Sequence, residues 1–273
     1  MSPFLAAILG ILITMVATRV ESLSLSKPKR HTSVAAFLFD IDGTLVHSDP
    51  IHLAVFRELL LQQPGFNNNQ PIDEAFFRKH ISGRANALIT ADFFPTWSIA
   101  DREAWSIRKE ERFREVAQAT MKQSQMPGLD RLRAWIDAHH LGKAAVTNAP
   151  RLNAEAILSG IDYDAWFGDQ LIIGDECEKP KPDPCPYLLA CQRLGVSASD
   201  CIVLEDSPSG ARAGVAAGAF VVGVLSGQEE ATLRDAGCHL IVQDFEDEKL
   251  WKHLEALSTV SSADAVADAT PRQ

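Results

Sequence analysis

Two aspartates, Asp40 and Asp42, stand one residue apart where an apolar run meets a glycine, in Phe37-Leu38-Phe39-Asp40-Ile41-Asp42-Gly43-Thr44-Leu45. Carboxylates at the end of a buried strand are costly to ionise unless a partner offsets their charge. A bound cation is the usual remedy, and Mg2+ takes a few hard oxygen ligands together with phosphate oxygens. A carboxylate in such a site is also a nucleophile toward phosphorus, giving an aspartyl-phosphate. The competing reading is structural: Asp and Gly are turn formers, and the segment could close a strand with an Asx-turn and nothing more.

Three further segments carry groups suited to the same chemistry. Thr147-Asn148 follows the short run Ala144–Val146 and precedes Ala149-Pro150. A hydroxyl and a backbone N–H at that place could hold a phosphate oxygen, or simply cap the next helix. Lys179-Pro180-Lys181-Pro182-Asp183 is too proline-rich for a helix and offers two ammonium groups. Glu205-Asp206-Ser207-Pro208 sets two carboxylates before a helix start, where acidic residues also suit the helix dipole without any metal.

The elements that must position these groups alternate between strand and helix, which argues for a parallel α/β sheet. Apolar runs predict strands at residues 34–39, 144–147, 171–173, 201–204 and 220–224, with a short edge strand at 240–242. Helical spacing predicts helices over 130–139, 152–159, 185–194, 208–217 and 229–236. Such sheets bind ligands beyond the carboxyl ends of their strands, and Asp40, Thr147 and Glu205 all fall there. Residues 50–126 break the rhythm. Leu53, Phe56, Leu59 and Leu60 form one apolar stripe and Phe113, Val116 and Ala117 another, punctuated by Pro64-Gly65, Pro71 and Pro95. Four helices inserted between the first two strands are predicted.

Composition narrows the class. The chain has 273 residues, of which 46% are hydrophobic and 23% charged, as in ordinary globular proteins. A net charge of −10 argues against a nucleic-acid partner, which would need a basic face. It leaves room for a phosphorylated substrate, because one cation and one lysine can set the potential of a cleft. The five cysteines are odd in number and lack a CxxC pair, so reduced thiols are expected. Phe4 to Val16 is almost wholly apolar but short for a membrane span, and Ser22 to Ser33 is rich in Ser, Lys and Arg. Residues 1–33 therefore read as a targeting or flexible segment, pointing to the secretory pathway or the plastid, and otherwise to the cytoplasm. No stable membrane association is expected after processing, and the protein is expected to be a monomer. Residues 258–273, rich in Ser and Ala, read as a disordered tail.

In order, these four segments resemble the four motifs of the haloacid dehalogenase (HAD) superfamily, over roughly residues 34–257. Within it the chain is most similar to the β-phosphoglucomutase-like branch. Ser48-Asp49-Pro50-Ile51-His52, Val146-Thr147-Asn148-Ala149-Pro150 and Leu204-Glu205-Asp206-Ser207 resemble plant broad-specificity sugar-phosphate phosphatases. The resemblance implies a Rossmann-like core at 34–49 and 127–257 with a helical C1-type cap at 50–126. It implies Asp40 as nucleophile and Asp42 as general acid and base, Thr147 and Asn148 on the phosphate, and Lys179, before the first proline, as the catalytic lysine. Lys181 then reads as a surface charge. Mg2+ would be held by Asp40, the Asp42 carbonyl and Asp206, with Glu205 acting directly or through water. In the cap it implies substrate contacts from His52, Gly83, Arg84 and Lys109, each of which also fits a plain structural or solvated role. Asn86 stands where the mutase has an arginine for a second phosphate. The implied activity is a Mg2+-dependent phosphatase of small phosphorylated metabolites, with a hexose-phosphate mutase and an inactive sugar-phosphate-binding module as alternatives.

Overall fold

Six parallel strands form one sheet in the order β3-β2-β1-β4-β5-β6, in a computed structural model that describes residues 34–82 and 84–267. The strands are β1 (Ala36–Phe39), β2 (Gly142–Thr147), β3 (Leu171–Ile173), β4 (Cys201–Glu205), β5 (Phe220–Val224) and β6 (Leu240–Val242). All six expected strands are present. Strand order reverses beside β1, where Phe39 lies opposite Ala145 on one side and Leu204 on the other. Ligand crevices of open α/β sheets form at such a reversal.

Both faces of the sheet are covered, which is why its strands read as continuous apolar runs. Phe37 and Phe39 point to one face, with Leu204, Trp166, Phe167 and Phe245. Ala36 and Leu38 point to the other, with Val146, Val203, Ala211 and Tyr187. Each large side chain buried in this way contributes about 1.5–3 kcal/mol.

The insertion between β1 and β2 contains α1 (Asp49–Leu61), α2 (Glu74–His80), α3 (Asn86–Phe93) and α4 (Ile99–Thr120). These are the four helices the spacing predicts. In α1 the buried stripe is Ile51, Val55, Phe56, Leu59 and Leu60, while Leu53 is only partly covered. Helix α4 begins where Ser98 accepts a hydrogen bond from the Asp101 N–H, an N-cap that stops the chain from fraying. Where the insertion leaves and re-enters the core, the two chain segments are tied together. The His47 N–H donates to the Ser124 carbonyl at 2.7 Å and the Met126 N–H to the Leu45 carbonyl at 2.9 Å.

Helices α5 (Leu129–Ala138), α6 (Arg151–Gly160), α7 (Asp164–Phe167), α8 (Cys185–Leu194), α9 (Pro208–Ala217) and α10 (Glu230–Asp235) link the strands. The last helix, α11, runs Glu248–Ala267 and so continues into residues expected to be a disordered tail. The helix is anchored by buried Leu250, Leu254 and Leu257. The expected targeting segment, residue Gly83 and residues 268–273 lie outside the described residues. Among the described residues no helix is long and apolar enough to cross a membrane.

Candidate active site

Asp40 emerges from the end of β1 with its N–H held by the Leu204 carbonyl at 3.0 Å. Its Oδ1 accepts a 2.7 Å hydrogen bond from the Lys181 Nζ. Lys181 is sealed, with a side chain only 3% exposed, and it also donates to the Val146 carbonyl and to Glu205 Oε1, each at 2.7 Å. Lys179 is elsewhere. Its side chain is 67% exposed and pairs with Asp183 at 3.9 Å. The expectation for the lysine is therefore corrected to Lys181. The two Lys-Pro pairs are alike in sequence, but the loop turns the second one inward. That turn is fixed by Asn148, whose amide donates to the Lys181 carbonyl and accepts from the Lys181 N–H. Asn148 thus acts on the lysine loop through its side chain, and the residue also lines the cavity.

Glu205 is wholly buried at the end of β4. Its Oε1 accepts from Lys181 and from the Tyr187 hydroxyl at 2.8 Å, and its Oε2 accepts from the N–H and hydroxyl of Ser207 at 3.1 and 3.0 Å. Those four bonds fill the carboxylate's lone-pair sites. A Cβ on Gly210 would lie 1.6 Å from Glu205 Oε1, so only glycine lets the first turn of α9 approach this carboxylate. Gly43 serves Asp206 in the same way. It adopts a φ of +78°, and a Cβ there would lie 1.9 Å from Asp206 Oδ2.

Asp40, Glu205 and Asp206 offer oxygens that all lie within 4.8 Å of one another. Burial pushes the Asp40 carboxyl up to about 8, against the pull of Lys181, with Glu205 and Asp42 adding to the rise. Burial also drives Asp206 well above the usual carboxylate range, reinforced by Asp40 and Glu205. One ammonium does not balance this cluster. Hard oxygen donors around unbalanced negative charge are the donor set that fits a divalent cation such as Mg2+.

Asp42 sits in a different environment. Burial alone would raise its carboxyl, but hydrogen bonds from His52 and Ser48 and the nearby Lys109 charge hold it below its ordinary value. The His52 Nε2 lies 3.4 Å from Asp42 Oδ1, and its ring stacks on Phe113 at 4.2 Å. Thr147 is buried and its hydroxyl accepts from the Ala149 N–H at 2.9 Å, shaping the turn before α6.

These groups line one cavity of about 290 Å3, walled on the far side by the inserted helices. Of the expected residues there, Asp40, Asp42, Thr147, Asn148, Asp206, His52, Arg84 and Lys109 all face it. Arg84 is bound to Asp92 at 2.6 Å and to the His80 carbonyl at 2.8 Å. Lys109 is not a solvated helix face. It is buried beside Glu110 at 2.9 Å and over the Phe56 ring. Sequence reasoning missed Lys181, Tyr187, Glu110 and Asn153. For Lys109 a signal existed: Trp105, Lys109, Phe113 and Ala117 recur every fourth residue, so the lysine lies on a buried stripe.

The haloacid dehalogenase-like hydrolase family matches residues 34–218, which span all four segments in full. The chain belongs to this hydrolase family. An N-acetylmuramic acid 6-phosphate phosphatase of Pseudomonas aeruginosa is 31% identical over 192 residues, covering 70% of this chain and 82% of that protein. A fructose-1-phosphate phosphatase of Escherichia coli is 27% identical over 201 residues, covering 70% and 96%. Among solved structures, a HAD hydrolase of family IA, variant 3, from Entamoeba histolytica superposes with a TM-score of 0.70 at 26% identity, covering 82% of this chain and 100% of that one. The protein is accordingly a phosphoric monoester hydrolase on a Rossmann-like HAD core.

Proposed function

We propose that this hydrolase is a Mg2+-dependent phosphatase of sugar monophosphates that works through a phosphorylated Asp40. The observation that carries the reading is the contrast between its two motif aspartates. Asp40 is sealed against Lys181 with one oxygen engaged, whereas Asp42 opens into the cavity beside His52. Relatives that act on N-acetylmuramic acid 6-phosphate and fructose 1-phosphate support the substrate class.

Asp40 attacks the phosphorus in line, and the bond from phosphorus to the sugar oxygen breaks. The electron pair goes to that oxygen, which takes a proton from Asp42. A phosphate dianion arriving beside Asp42 raises its depressed pKa, which is the condition for donating that proton. Water then attacks the phosphorus of the acyl phosphate, Asp42 accepts its proton, and inorganic phosphate leaves with Asp40 restored. Lys181 holds Asp40 in line and offsets its charge. Thr147 and the Asn148 N–H meet phosphate oxygens. Asp40, the Asp42 carbonyl and Asp206 would hold Mg2+, with Glu205, its acceptor sites already filled, adding negative charge behind them. When bound, the cation supplies charge against the phosphate oxygens.

Acid quench during turnover of 32P-labelled glucose 6-phosphate should leave label on the protein that hydroxylamine removes, and none on Asp40→Asn. EDTA should silence turnover and Mg2+ restore it. Phosphate release with no trapped label in a rapid-quench series, or full turnover in EDTA, overturns the mechanism.

A further inference from the structure

Glu110 belongs to no strand-end motif, yet its carboxylate stands in the wall of the active-site cavity. It is 12% exposed and is gripped from three sides. The Lys109 Nζ and the Asn86 amide both donate to Oε1, and the Asn153 amide donates to Oε2 at 2.5 Å. Asn153 is itself fixed by Arg114, which donates to its Oδ1 at 2.8 Å. Burial would raise the Glu110 carboxyl, but the Lys109 charge and the Asn86 hydrogen bond outweigh it and keep it below its ordinary value. A carboxylate has four acceptor sites and three are used, which leaves one on Oε2 for a donor from the cavity.

The cations around the cavity tell the same story. Lys181 faces Asp40 and Glu205, Lys109 faces Glu110 and Arg84 faces Asp92, while the His52 ring is turned to Asp42. Among the described residues that line the cavity, every cationic side chain already has a carboxylate partner. Asp49 adds another carboxylate to the wall, where it accepts from the Ser82 hydroxyl at 2.9 Å. A second anionic group on a substrate would meet no unspent cation and at least one fixed negative charge. A hydroxyl would meet acceptors.

We infer that Glu110 is a specificity-determining residue: it selects phosphate monoesters whose remainder is uncharged and rich in hydroxyls, and rejects those bearing a second phosphate or a carboxylate. This inference rests on the phosphatase reading above. Glu110 donates nothing to the reacting phosphate. It spends the Lys109 charge that a second anion would otherwise claim, and it offers a hydrogen-bond acceptor in its place.

The test is a panel of kcat/KM values with Mg2+ present. The substrates are fructose 1-phosphate, glucose 6-phosphate, fructose 1,6-bisphosphate, phosphoglycolate and, as a generic ester, p-nitrophenyl phosphate. The wild-type protein should favour both sugar monophosphates over the bisphosphate and phosphoglycolate by at least about tenfold, the scale of one unfavourable charge contact. In Glu110→Gln, Lys109 loses its counterion. The bisphosphate-to-monophosphate ratio should rise by about tenfold, through KM rather than kcat. A wild-type preference for the bisphosphate or for phosphoglycolate overturns the inference without any variant being needed. So does a Glu110→Gln protein that melts as a folded protein and keeps the wild-type ratio. If no ester in the panel is hydrolysed, p-nitrophenyl phosphate included, the phosphatase reading itself falls. If all are hydrolysed alike, only the role of Glu110 falls.

Discussion

The cavity joins two clusters of buried charge that are built in opposite ways. At the strand ends, Asp40, Glu205 and Asp206 hang from backbone positions fixed by the parallel sheet at β1 and β4, and Lys181 reaches them from a loop clamped by Asn148. Across the cavity, Lys109, Glu110, Asn86 and Asn153 come from α3, α4 and α6 and hold one another by side chains alone. The first cluster carries more carboxylates than its single ammonium can balance, and so is poised for a cation and a phosphoryl group. The second is already balanced, one lysine against one carboxylate, and so is suited to uncharged hydroxyls. Chemistry common to many substrates sits where geometry is rigid. On the reading proposed for Glu110, discrimination depends on a few amide and ammonium contacts between helices.

The largest expected effect separates the two lysines of the proline-rich loop. Lys181→Ala strips the only ammonium from two buried carboxylates, and breaking such a pair costs about 3–5 kcal/mol. Activity should fall by at least about a hundredfold, while Lys179→Ala stays within about twofold because its ion pair is exposed. Steady-state kinetics and a melting curve of each variant read both effects. Equal losses at the two positions would undo the contrast between sealed and exposed lysine.

Gly210→Ala comes next. Its Cβ has no room beside Glu205, so the carboxylate or the start of α9 must shift. A loss of about 1–3 kcal/mol is expected, as for overpacking in a core, with kcat reduced because Lys181 is oriented through Glu205. Gly65→Ala is the control for helix-free space, since nothing lies near its Cβ, although its φ of +77° still carries backbone strain. An Ala at 210 that leaves both stability and kcat untouched would show that the strand-end cluster is looser than its distances imply.

Asn153→Ala probes the second cluster. It removes a donor from Glu110 and an acceptor from Arg114, at about 1–2 kcal/mol of stability. KM for a sugar monophosphate should rise a few-fold while kcat holds, and a kcat-only effect would place Asn153 with the first cluster instead.

The smallest effect lies away from the cavity. Phe220 stacks between the His239 ring at 4.9 Å and the His253 ring at 4.4 Å. Burial lowers the pKa of both imidazoles below their ordinary value. The unfolded chain therefore binds these protons first, and the stability they support is present above about pH 6.5 and declines as the pH falls through that value. Urea midpoints at pH 7.5 and 5.5 should differ less in a His239→Phe/His253→Phe protein than in the wild type. An unchanged difference would remove these histidines as its source.

Much of the fold was legible before any coordinates. Strand periodicity placed all six strands, because residues buried on both faces of a parallel sheet leave long apolar runs. The four inserted helices were legible from two apolar stripes and the prolines and glycine that punctuate the segment. Asp40, Asp42, Thr147 and Asp206 were legible because a strand end is both a sequence signal and the place where a parallel sheet binds ligands. Lys181 was not, because two adjacent Lys-Pro pairs carry the same local chemistry and only the Asn148 clamp decides which turns inward. Glu110 was not, because Asn86 and Asn153 lie 24 and 43 residues from it in the chain.

The chain by itself thus determined where charge is concentrated along it: acidic pairs after apolar strands, lysines among prolines, a long charged helix in the insertion. Tertiary structure alone decided which of those charges leave water. Desolvation acts on a group's whole surroundings, so it raises Asp40 and Asp206 yet yields to paired partners at Asp42 and Glu110. The same residue types form a carboxylate-rich cluster at the strand ends and a charge-balanced one between helices, because partners distant in sequence meet them in space.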